Sequence, residues 1–276
     1  MQPRVVLATS LALVAFAANS LLCRAALGGG QADAASFTAL RLASGAAILF
    51  LIARRGDRPR GGSWLSAGAL FAYAAAFSFA YFFLPAGVGA LLLFGAVQVT
   101  MIGHGLAKGE RPAATVWVGL VLALCGLALL SLRGWQAFSP GGTLLMLGAG
   151  AGWGAYSLRG RRAHAPPVLV TADNFLRAAL FALLLWLIAS VSASSHLTSR
   201  GAVLAVVSGA LTSGLGYVAW YSALPHLTAA RAAVLQLCVP VLAAVGGVVL
   251  LGEVMTARLI AAGTAILLGV AIATRR

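Results

Sequence analysis

Two glutamines, Gln98 and Gln236, lie inside long apolar stretches of the sequence. An amide placed among apolar groups costs free energy unless its polar atoms find hydrogen-bond partners. Such side chains can donate and accept hydrogen bonds to a small molecule held in an apolar pocket. Hydrogen bonds to a neighbouring helix would satisfy the same atoms, so a binding role and a structural role are both open.

Aromatic residues supply the walls that a small-molecule pocket needs. Tyr73, Phe77 and Tyr81 recur every four residues, so they lie along one face of a helix. Tyr81 and Tyr221 lie near the ends of their stretches, where aromatic residues often mark the membrane surface instead. The other pocket candidates, among them an amide of the first apolar stretch, are Asn19, Trp153, Tyr156, Tyr217 and Trp220.

Pro240 follows Gln236 by four residues within one apolar stretch. Because proline lacks the N–H that would bond the carbonyl four residues back, it predicts a helix break and a free carbonyl at Gln236. Interrupted helices near the middle of a membrane are typical of transporter binding sites. A plain kink, with the carbonyl satisfied by a neighbouring hydroxyl, is the alternative.

Three charged residues fall inside apolar stretches, namely Arg41, Asp173 and Arg177. A buried arginine is costly in lipid, but it would bind the carboxylate of an amino acid. Both arginines lie within about two helical turns of the end of a stretch, so their side chains could instead reach the membrane surface. Asp173 and Arg177 are four residues apart, which places them on one helix face.

The composition indicates which elements position these residues. Of 276 residues, 61% are hydrophobic and only 9% are charged, whereas a soluble domain is about a quarter charged. A spanning helix needs about 20 apolar residues. We therefore predict an all-α integral membrane protein of ten transmembrane helices, the first being an uncleaved helix rather than a signal peptide. The spans are predicted at about 5–27, 35–54, 63–84, 87–107, 113–133, 141–158, 169–191, 202–223, 228–251 and 256–274.

The formal charge of +14 has a membrane explanation rather than a nucleic-acid one. With the N-terminus inside, 13 of the 19 lysines and arginines fall at cytoplasmic ends and four at outer ends. The basic stretches 54–60 and 159–162 are then on the same side. By the positive-inside rule we expect a multi-pass protein of the inner (plasma) membrane with both termini cytoplasmic.

An internal repeat divides the chain into residues 1–138 and 139–276. Four weak similarities recur in the same order, 135 to 143 residues apart. Because each half holds five predicted spans, an odd number, the second half enters the membrane from the opposite side, as in many secondary transporters. The matched features are Arg24 with Arg159, Arg41 with Arg177, Leu84-Pro85 with Leu224-Pro225, and Gly109-Glu110 with Gly252-Glu253.

These features together resemble the drug/metabolite transporter superfamily, and within it the ten-helix transporters with two EamA-type repeats. The resemblance covers the whole chain and is clearest over residues 229–253, with Gln236, Pro240 and the closing Gly252-Glu253. The fourth span departs from the pattern because it has no proline. The resemblance implies a transporter that exports amino acids or other small metabolites by alternating access. Its aromatic interior looks most like that of the aromatic amino acid exporters.

The energy source and the class of protein have alternatives. Proton-coupled carriers commonly bury an Asp, Glu or His. Here Asp173 has Arg177 beside it, which opposes protonation, and His104 lies near the end of a span. We therefore expect a facilitator, with a proton-coupled exporter as the alternative. A channel or a membrane-embedded enzyme are the alternatives from other classes.

The sequence contains no phosphate-binding loop and no pair of metal ligands at helix spacing. No acid falls in the middle of a predicted span. We therefore expect no catalytic residue, no cofactor and no metal. The expected partners are a small-molecule substrate and membrane lipid, without nucleic acid.

The predicted orientation can be tested by chemical labelling. A cysteine introduced in the 54–60 stretch should react with a membrane-impermeant thiol reagent only after the cells are opened, because the positive-inside rule places this stretch in the cytoplasm. Labelling of the same cysteine in intact cells would contradict the orientation.

Overall fold

A computed structural model describes residues 2–53, 61–84, 86–131, 139–191, 195–251 and 254–274; for 86–88, 130–131 and 251 only the backbone is described. These residues form helices and no strands, which confirms the predicted all-α fold. The helical segments, in chain order, are Pro3–Cys23 continued by Arg24–Gly28, Ala34–Ala53, Trp64–Ala80, Ala86–Ala107, Ala114–Ser131, Pro140–Gly160, Pro167–Val191, Ser199–Val207 continued to His226, Ala229–Leu235 with Cys238–Leu251, and Ala257–Thr274. We refer to them as the first to the tenth span.

Within the described part of the chain, seven helices are long and apolar enough to cross a membrane, judged by length and composition. Two further apolar helices are shorter, Trp64–Ala80 and Ala114–Leu129. Several features used in the sequence analysis lie outside the described residues. These are the stretch 54–60, Pro85, Gly252 and Glu253, together with three arginines of the charge count, Arg133, Arg275 and Arg276.

Hydroxyl side chains begin several of the helices. Ser63 accepts a hydrogen bond from the backbone N–H of Ser66, and Thr228 accepts one from Arg231. Ser139 and Thr198 cap the sixth and eighth spans in the same way. Such caps satisfy the backbone N–H groups that the first turn of a helix leaves without partners.

The eighth span changes its winding in the middle, where Ser208–Leu215 is π-helical. A π-helical turn is wider than an α-helical one and often occurs at functional sites. Gly209 lies in this segment, and a Cβ atom there would overlap the carbonyl oxygen of Arg41. The backbones of the second and eighth spans are therefore in direct contact at the level of Arg41.

The ninth span is interrupted between Leu235 and Cys238, and Pro240 is the third residue of the helix that follows. The predicted free carbonyl at Gln236 is wrong, because this oxygen accepts a hydrogen bond from the N–H of Val239 at 3.0 Å. The backbone tightens there into turns that join residues three apart, which pairs the carbonyl that proline cannot bond.

The spans pack in pairs. The fifth packs on the tenth, the second on the seventh, and the third and fourth on the sixth. The first span packs on the eighth and ninth. Between the fifth and tenth spans the contact is backbone to backbone, since a Cβ at Gly119 would overlap the carbonyl oxygen of Gly269. Small residues of this kind let helices approach closely in a membrane.

One end of the bundle is closed by the segments before the second and eighth spans. The carboxylate of Asp33 accepts hydrogen bonds from the backbone N–H groups of Ser36, at 2.9 Å, and His196, at 2.7 Å. A β-bridge joins Ala32 to Leu197 beside them. Partial burial tends to raise the pKa of Asp33, but the hydrogen bonds outweigh it and hold this pKa below its ordinary value. The carboxylate is therefore ionised at neutral pH.

A candidate substrate site at the centre of the bundle

Arg41 lies at the centre of the bundle and is only 1% exposed, so its side chain does not reach the membrane surface. Its Nε donates to Ser213 Oγ at 2.9 Å, and Nη2 donates to Tyr217 Oη at 2.8 Å. The guanidinium carbon is 5.6 Å from the centroid of the Tyr73 ring. Nη1 is buried and has no hydrogen-bond partner. Among the described residues no carboxylate pairs with this guanidinium.

Arg177, the counterpart of Arg41 in the predicted repeat, has a different environment. Its Nε and Nη2 donate to the two carboxylate oxygens of Asp173, at 2.9 and 3.1 Å. Its guanidinium also lies 5.2 Å from the ring centroid of Trp64. Asp173 accepts a further hydrogen bond from the N–H of Gly62 at 3.0 Å. This pair joins the third and seventh spans and leaves no charge free to bind a ligand.

Trp153 is the centre of a cluster of aromatic rings. Its centroid lies 4.8 Å from that of Tyr217 and 5.1 Å from those of Tyr73 and Phe16. Tyr156 is 5.8 Å away on the same span. Rings at these separations attract one another beyond the burial of their surfaces. Phe16 was not among the predicted site residues, although it lies three residues before Asn19 and so on the same helix face.

The two predicted glutamines both bind the interrupted ninth span. Gln236 Nε2 donates to the carbonyl of Ala232 at 3.0 Å, and Gln98 Nε2 donates to the carbonyl of Ala233 at 2.9 Å. Gln236 Oε1 also accepts a hydrogen bond from Nε1 of Trp153. Gln98 Oε1 is buried without a partner. The amides therefore have a structural role, and one acceptor remains for a ligand.

Asn19 joins the first span to the π-helical segment of the eighth. Its Oδ1 accepts hydrogen bonds from Ser208 Oγ at 2.6 Å and from Thr212 Oγ1 at 3.2 Å. Ser213, which holds Arg41, lies in the same segment. Ser213 was not among the predicted site residues, although it precedes Tyr217 by four residues and so faces the same way.

The remaining candidates lie around this centre. Phe77 is buried, and its centroid is 5.5 Å from that of Tyr73 and 4.8 Å from that of Tyr81. Tyr81 is half-buried just after the third helix. Trp220 is fully buried and donates to Ser157 Oγ at 3.0 Å.

Tyr221 is not a membrane-surface residue, since it is 2% exposed. Its hydroxyl donates to the carbonyl of Tyr156 at 3.0 Å, and the two rings lie 4.9 Å apart. The hydroxyl of Tyr156 itself is buried without a partner. The span-end position of Tyr221 was misleading because its ring packs against Tyr156 and Gly160 of the sixth span.

A small cavity of about 30 Å³ lies among these side chains. That space holds a water molecule but no amino acid. Five predicted site residues line it, whereas Gln98, Tyr81, Tyr156, Tyr217 and Trp220 do not. The lining residues are Asn19, Tyr73, Phe77, Trp153 and Gln236, together with Phe16, Ser20, Leu93, Phe94 and Val239. Substrate can enter only if the rings or the spans move apart.

A second cavity, which we call the vestibule, opens at the end of the bundle opposite Asp33. Its volume is about 510 Å³. Its walls come mainly from the third, fourth and sixth spans, and Tyr221 contributes from the eighth. Its polar lining residues are Ser63, Ser66, Thr100, His104, Arg159 and Arg162. Within the described ranges, no cluster of three or more His, Cys, Asp or Glu side chains could hold a metal ion.

Comparison with known proteins decides the family. The EamA-like transporter family matches residues 140–275. An uncharacterized protein of Pseudomonas aeruginosa is 54% identical over 272 residues, covering 98% of this chain and 94% of that protein. The chain belongs to the EamA-like transporter family. This EamA chain is thus a multi-pass membrane transporter, and the prediction that it is not an enzyme is confirmed by the family.

More distant relatives of this EamA protein carry functional names. The threonine/homoserine exporter RhtA of Salmonella typhimurium is 33% identical over 183 residues, which are 63% of this chain and 57% of the exporter. The uncharacterized transporter YwfM of Bacillus subtilis is 31% identical over 151 residues, or 53% of this chain and 50% of that one. A protein crystal structure has the same fold, with a TM-score of 0.81, 24% identity, and coverage of 97% and 98% of the two chains.

Removing either partner of the hydrogen bond between Trp153 and Gln236 should slow transport without preventing membrane insertion. We expect Gln236→Ala and Trp153→Ala each to lower the transport rate about five- to tenfold, the equivalent of about one net hydrogen bond. The double variant should lose less than the product of the two effects, because the residues share an interaction. Trp117→Ala is the control, since Trp117 is 41% exposed on the fifth span. If both single variants transport at the parent rate, the substrate site does not include Trp153 and Gln236.

Proposed function

We propose that this EamA transporter exports amino acids, or similar small metabolites that carry a carboxylate. The observation that carries the proposal is Arg41, a buried guanidinium with one unpartnered nitrogen at the centre of the bundle. Arginine cannot lose its proton in a protein. A substrate carboxylate would supply both the missing acceptor and the missing negative charge. The exporter RhtA, named for two amino acids, supports this class of cargo.

The other features of the site suit the rest of an amino acid. Gln98 Oε1 is an acceptor without a partner, suited to an ammonium group once the site has opened. Aromatic rings around Trp153 would pack on the cargo's side chain. The number of aromatic rings around Trp153 favours a cargo with an aromatic side chain. Similarity to RhtA, which is named as a threonine/homoserine exporter, favours one of those two amino acids instead. A transport panel that includes L-phenylalanine and L-threonine separates the two.

Alternating access is the mechanism that we propose. The central cavity is closed at present, and the Asp33 end is held by hydrogen bonds, whereas the vestibule is open at the other end. The first span packs on the eighth and ninth as the sixth packs on the third and fourth. This parallel, and a family match that begins at residue 140, support two inverted repeats, 1–138 and 139–276. We place the protein in the inner (plasma) membrane, with both termini and the vestibule on the cytoplasmic side.

We propose that the protein is a facilitator, which moves its substrate down the substrate's own concentration gradient. Both oxygens of Asp173 accept hydrogen bonds from Arg177 and Gly62, three in all, so this carboxylate is engaged in joining the third and seventh spans. His104 Nε2 lies 3.0 Å from Arg162 Nη2, which can only donate. A proton on that nitrogen would face a guanidinium. Neither group is placed to carry a proton with the cargo.

Arg41 should distinguish cargo with a carboxylate from cargo without one. We expect Arg41→Gln to lower kcat/KM for L-phenylalanine and L-threonine by about ten- to a hundredfold, the value of a hydrogen bond between charged groups. Uptake of phenethylamine, which lacks the carboxylate, should change much less. The ratio of acid to amine transport in proteoliposomes is the measurement.

Arg177→Gln is the matched control for Arg41→Gln. Because Arg177 pairs with Asp173, its removal should leave the ratio of acid to amine transport unchanged even if the total rate falls. An unchanged ratio in Arg41→Gln would show that the guanidinium does not bind the carboxylate.

The facilitator mechanism predicts no accumulation driven by protons. Proteoliposomes would hold the same L-threonine concentration on both sides, and a pH gradient would then be imposed. We expect no net movement of substrate, because no carboxylate or imidazole of the site is free to take up a proton. Accumulation that a protonophore abolishes would establish proton coupling instead, and Asp173→Asn and His104→Gln would identify the group.

A further inference from the structure

The vestibule has the dimensions of a ligand site in its own right. At about 510 Å³ it falls in the range of 300–1,000 Å³ that is usual for small-molecule sites. It is far larger than the central cavity of about 30 Å³. Two exposed guanidinium groups, those of Arg159 and Arg162, line it.

Neutral groups hold both of these guanidiniums. Arg159 Nε donates to Ser66 Oγ at 2.7 Å, and its Nη2 donates to Ser63 Oγ at 2.9 Å. Arg162 Nη2 contacts the ring nitrogen Nε2 of His104 at 3.0 Å. These partners fix the direction of the guanidiniums but do not neutralise their charge.

Arg161, which lies between the two vestibule arginines in the sequence, is neutralised by a carboxylate, whereas they are not. Arg161 forms an ion pair with Glu110 at 3.0 Å and is not one of the residues that line the vestibule. Glu110 also accepts a hydrogen bond from the N–H of Ala229, so it is fully occupied at the start of the ninth span. Over the described residues, no carboxylate lies in ion-pair range of Arg159 or Arg162. The vestibule is therefore a positively charged concave surface.

The vestibule leads toward the central site. Tyr221 lines it and lies 4.9 Å from Tyr156, measured between ring centroids. Tyr156 in turn lies 5.8 Å from Trp153, which lines the central cavity. Two tyrosine rings, tilted at 33° to each other, thus separate the charged cavity from the aromatic cluster around Trp153.

We propose that the vestibule is a second binding site, where Arg159 and Arg162 capture the carboxylate of the cargo before it passes Tyr221 to reach Arg41. The identity of the cargo rests on the proposed function, whereas the attraction of small anions does not. A cavity lined by positive charge raises the local concentration of anions. The phosphate of an anionic lipid has the same charge, so the test must distinguish the two ligands.

A cysteine at position 163 reports the charge of the vestibule without any transport. Ala163 lines the vestibule and is half-buried. The Ala163→Cys variant would be reacted with sulfonatoethyl methanethiosulfonate, an anion, and with trimethylammonioethyl methanethiosulfonate, a cation. The reaction of the native Cys23, Cys125 and Cys238 is measured in the parent protein and subtracted.

Each reaction rate is divided by the rate of the same reagent with free cysteine. We expect this normalised rate to be about three- to tenfold higher for the anionic reagent than for the cationic one, a difference that we call the gain. High salt should reduce the gain. Arg159→Gln and Arg162→Gln, added together, should remove it. Arg111→Gln is the control, because it deletes one exposed positive charge that does not line the vestibule. A gain that survives the double substitution, or no gain at all, would overturn the site.

Protection of the same cysteine distinguishes the ligands. L-threonine should slow the anionic reagent in phosphatidylcholine vesicles, and the slowing should vanish in the Arg159→Gln, Arg162→Gln protein. Slowing by added phosphatidylglycerol but by no amino acid would overturn capture of cargo and assign the site to lipid. A charge preference without protection by any amino acid would also overturn capture of cargo at the vestibule. The amino-acid cargo of the proposed function is tested separately, by transport in the Arg41→Gln protein.

Discussion

A permanent positive charge in the middle of an apolar bundle is the constraint around which the centre of this protein is organised. The guanidinium of Arg41 donates hydrogen bonds to Ser213 of the π-helical segment and to Tyr217, which follows that segment in the eighth span. The backbone of the second span reaches that segment only because Gly209 has no side chain. Hydrocarbon offers no water to solvate the charge, so each of these contacts replaces part of a hydration shell.

The same absence of water explains the arrangement of the ninth span. Interrupting a helix exposes carbonyl oxygens, and in lipid each of them needs a donor from the protein. Amide side chains supply two of these donors, one from Gln236 on the broken span itself and one from Gln98 on the fourth span. The interruption therefore attaches the ninth span to the fourth. A site built in this way uses its polar residues first for the fold, and the few atoms that remain unpaired mark where a ligand can bind.

The sequence was sufficient to predict the helices and most of the residues near the centre. Apolar length and helical periodicity are local properties, so the ten spans and the Tyr73 stripe could be identified without a structure. The surroundings of Arg41 could not. The spacing of four residues was enough to place Asp173 beside Arg177 on one helix face. Only the packing of distant spans brings the hydroxyls of Ser213 and Tyr217 to Arg41. The partner of the Gln236 carbonyl was unpredictable for the same reason, because it depends on how tightly the broken turn winds.

At the end of the bundle opposite the vestibule, the hydrogen bonds that Asp33 accepts resist mild acid. A carboxylate whose pKa is lowered by folding contributes stability above its ordinary pKa and loses it only as the pH falls through the lowered value. The link to His196 therefore persists through mild acidification of the surrounding medium. A mild fall in pH would leave the two hydrogen bonds of this carboxylate in place, so protonation of Asp33 is not what opens this end.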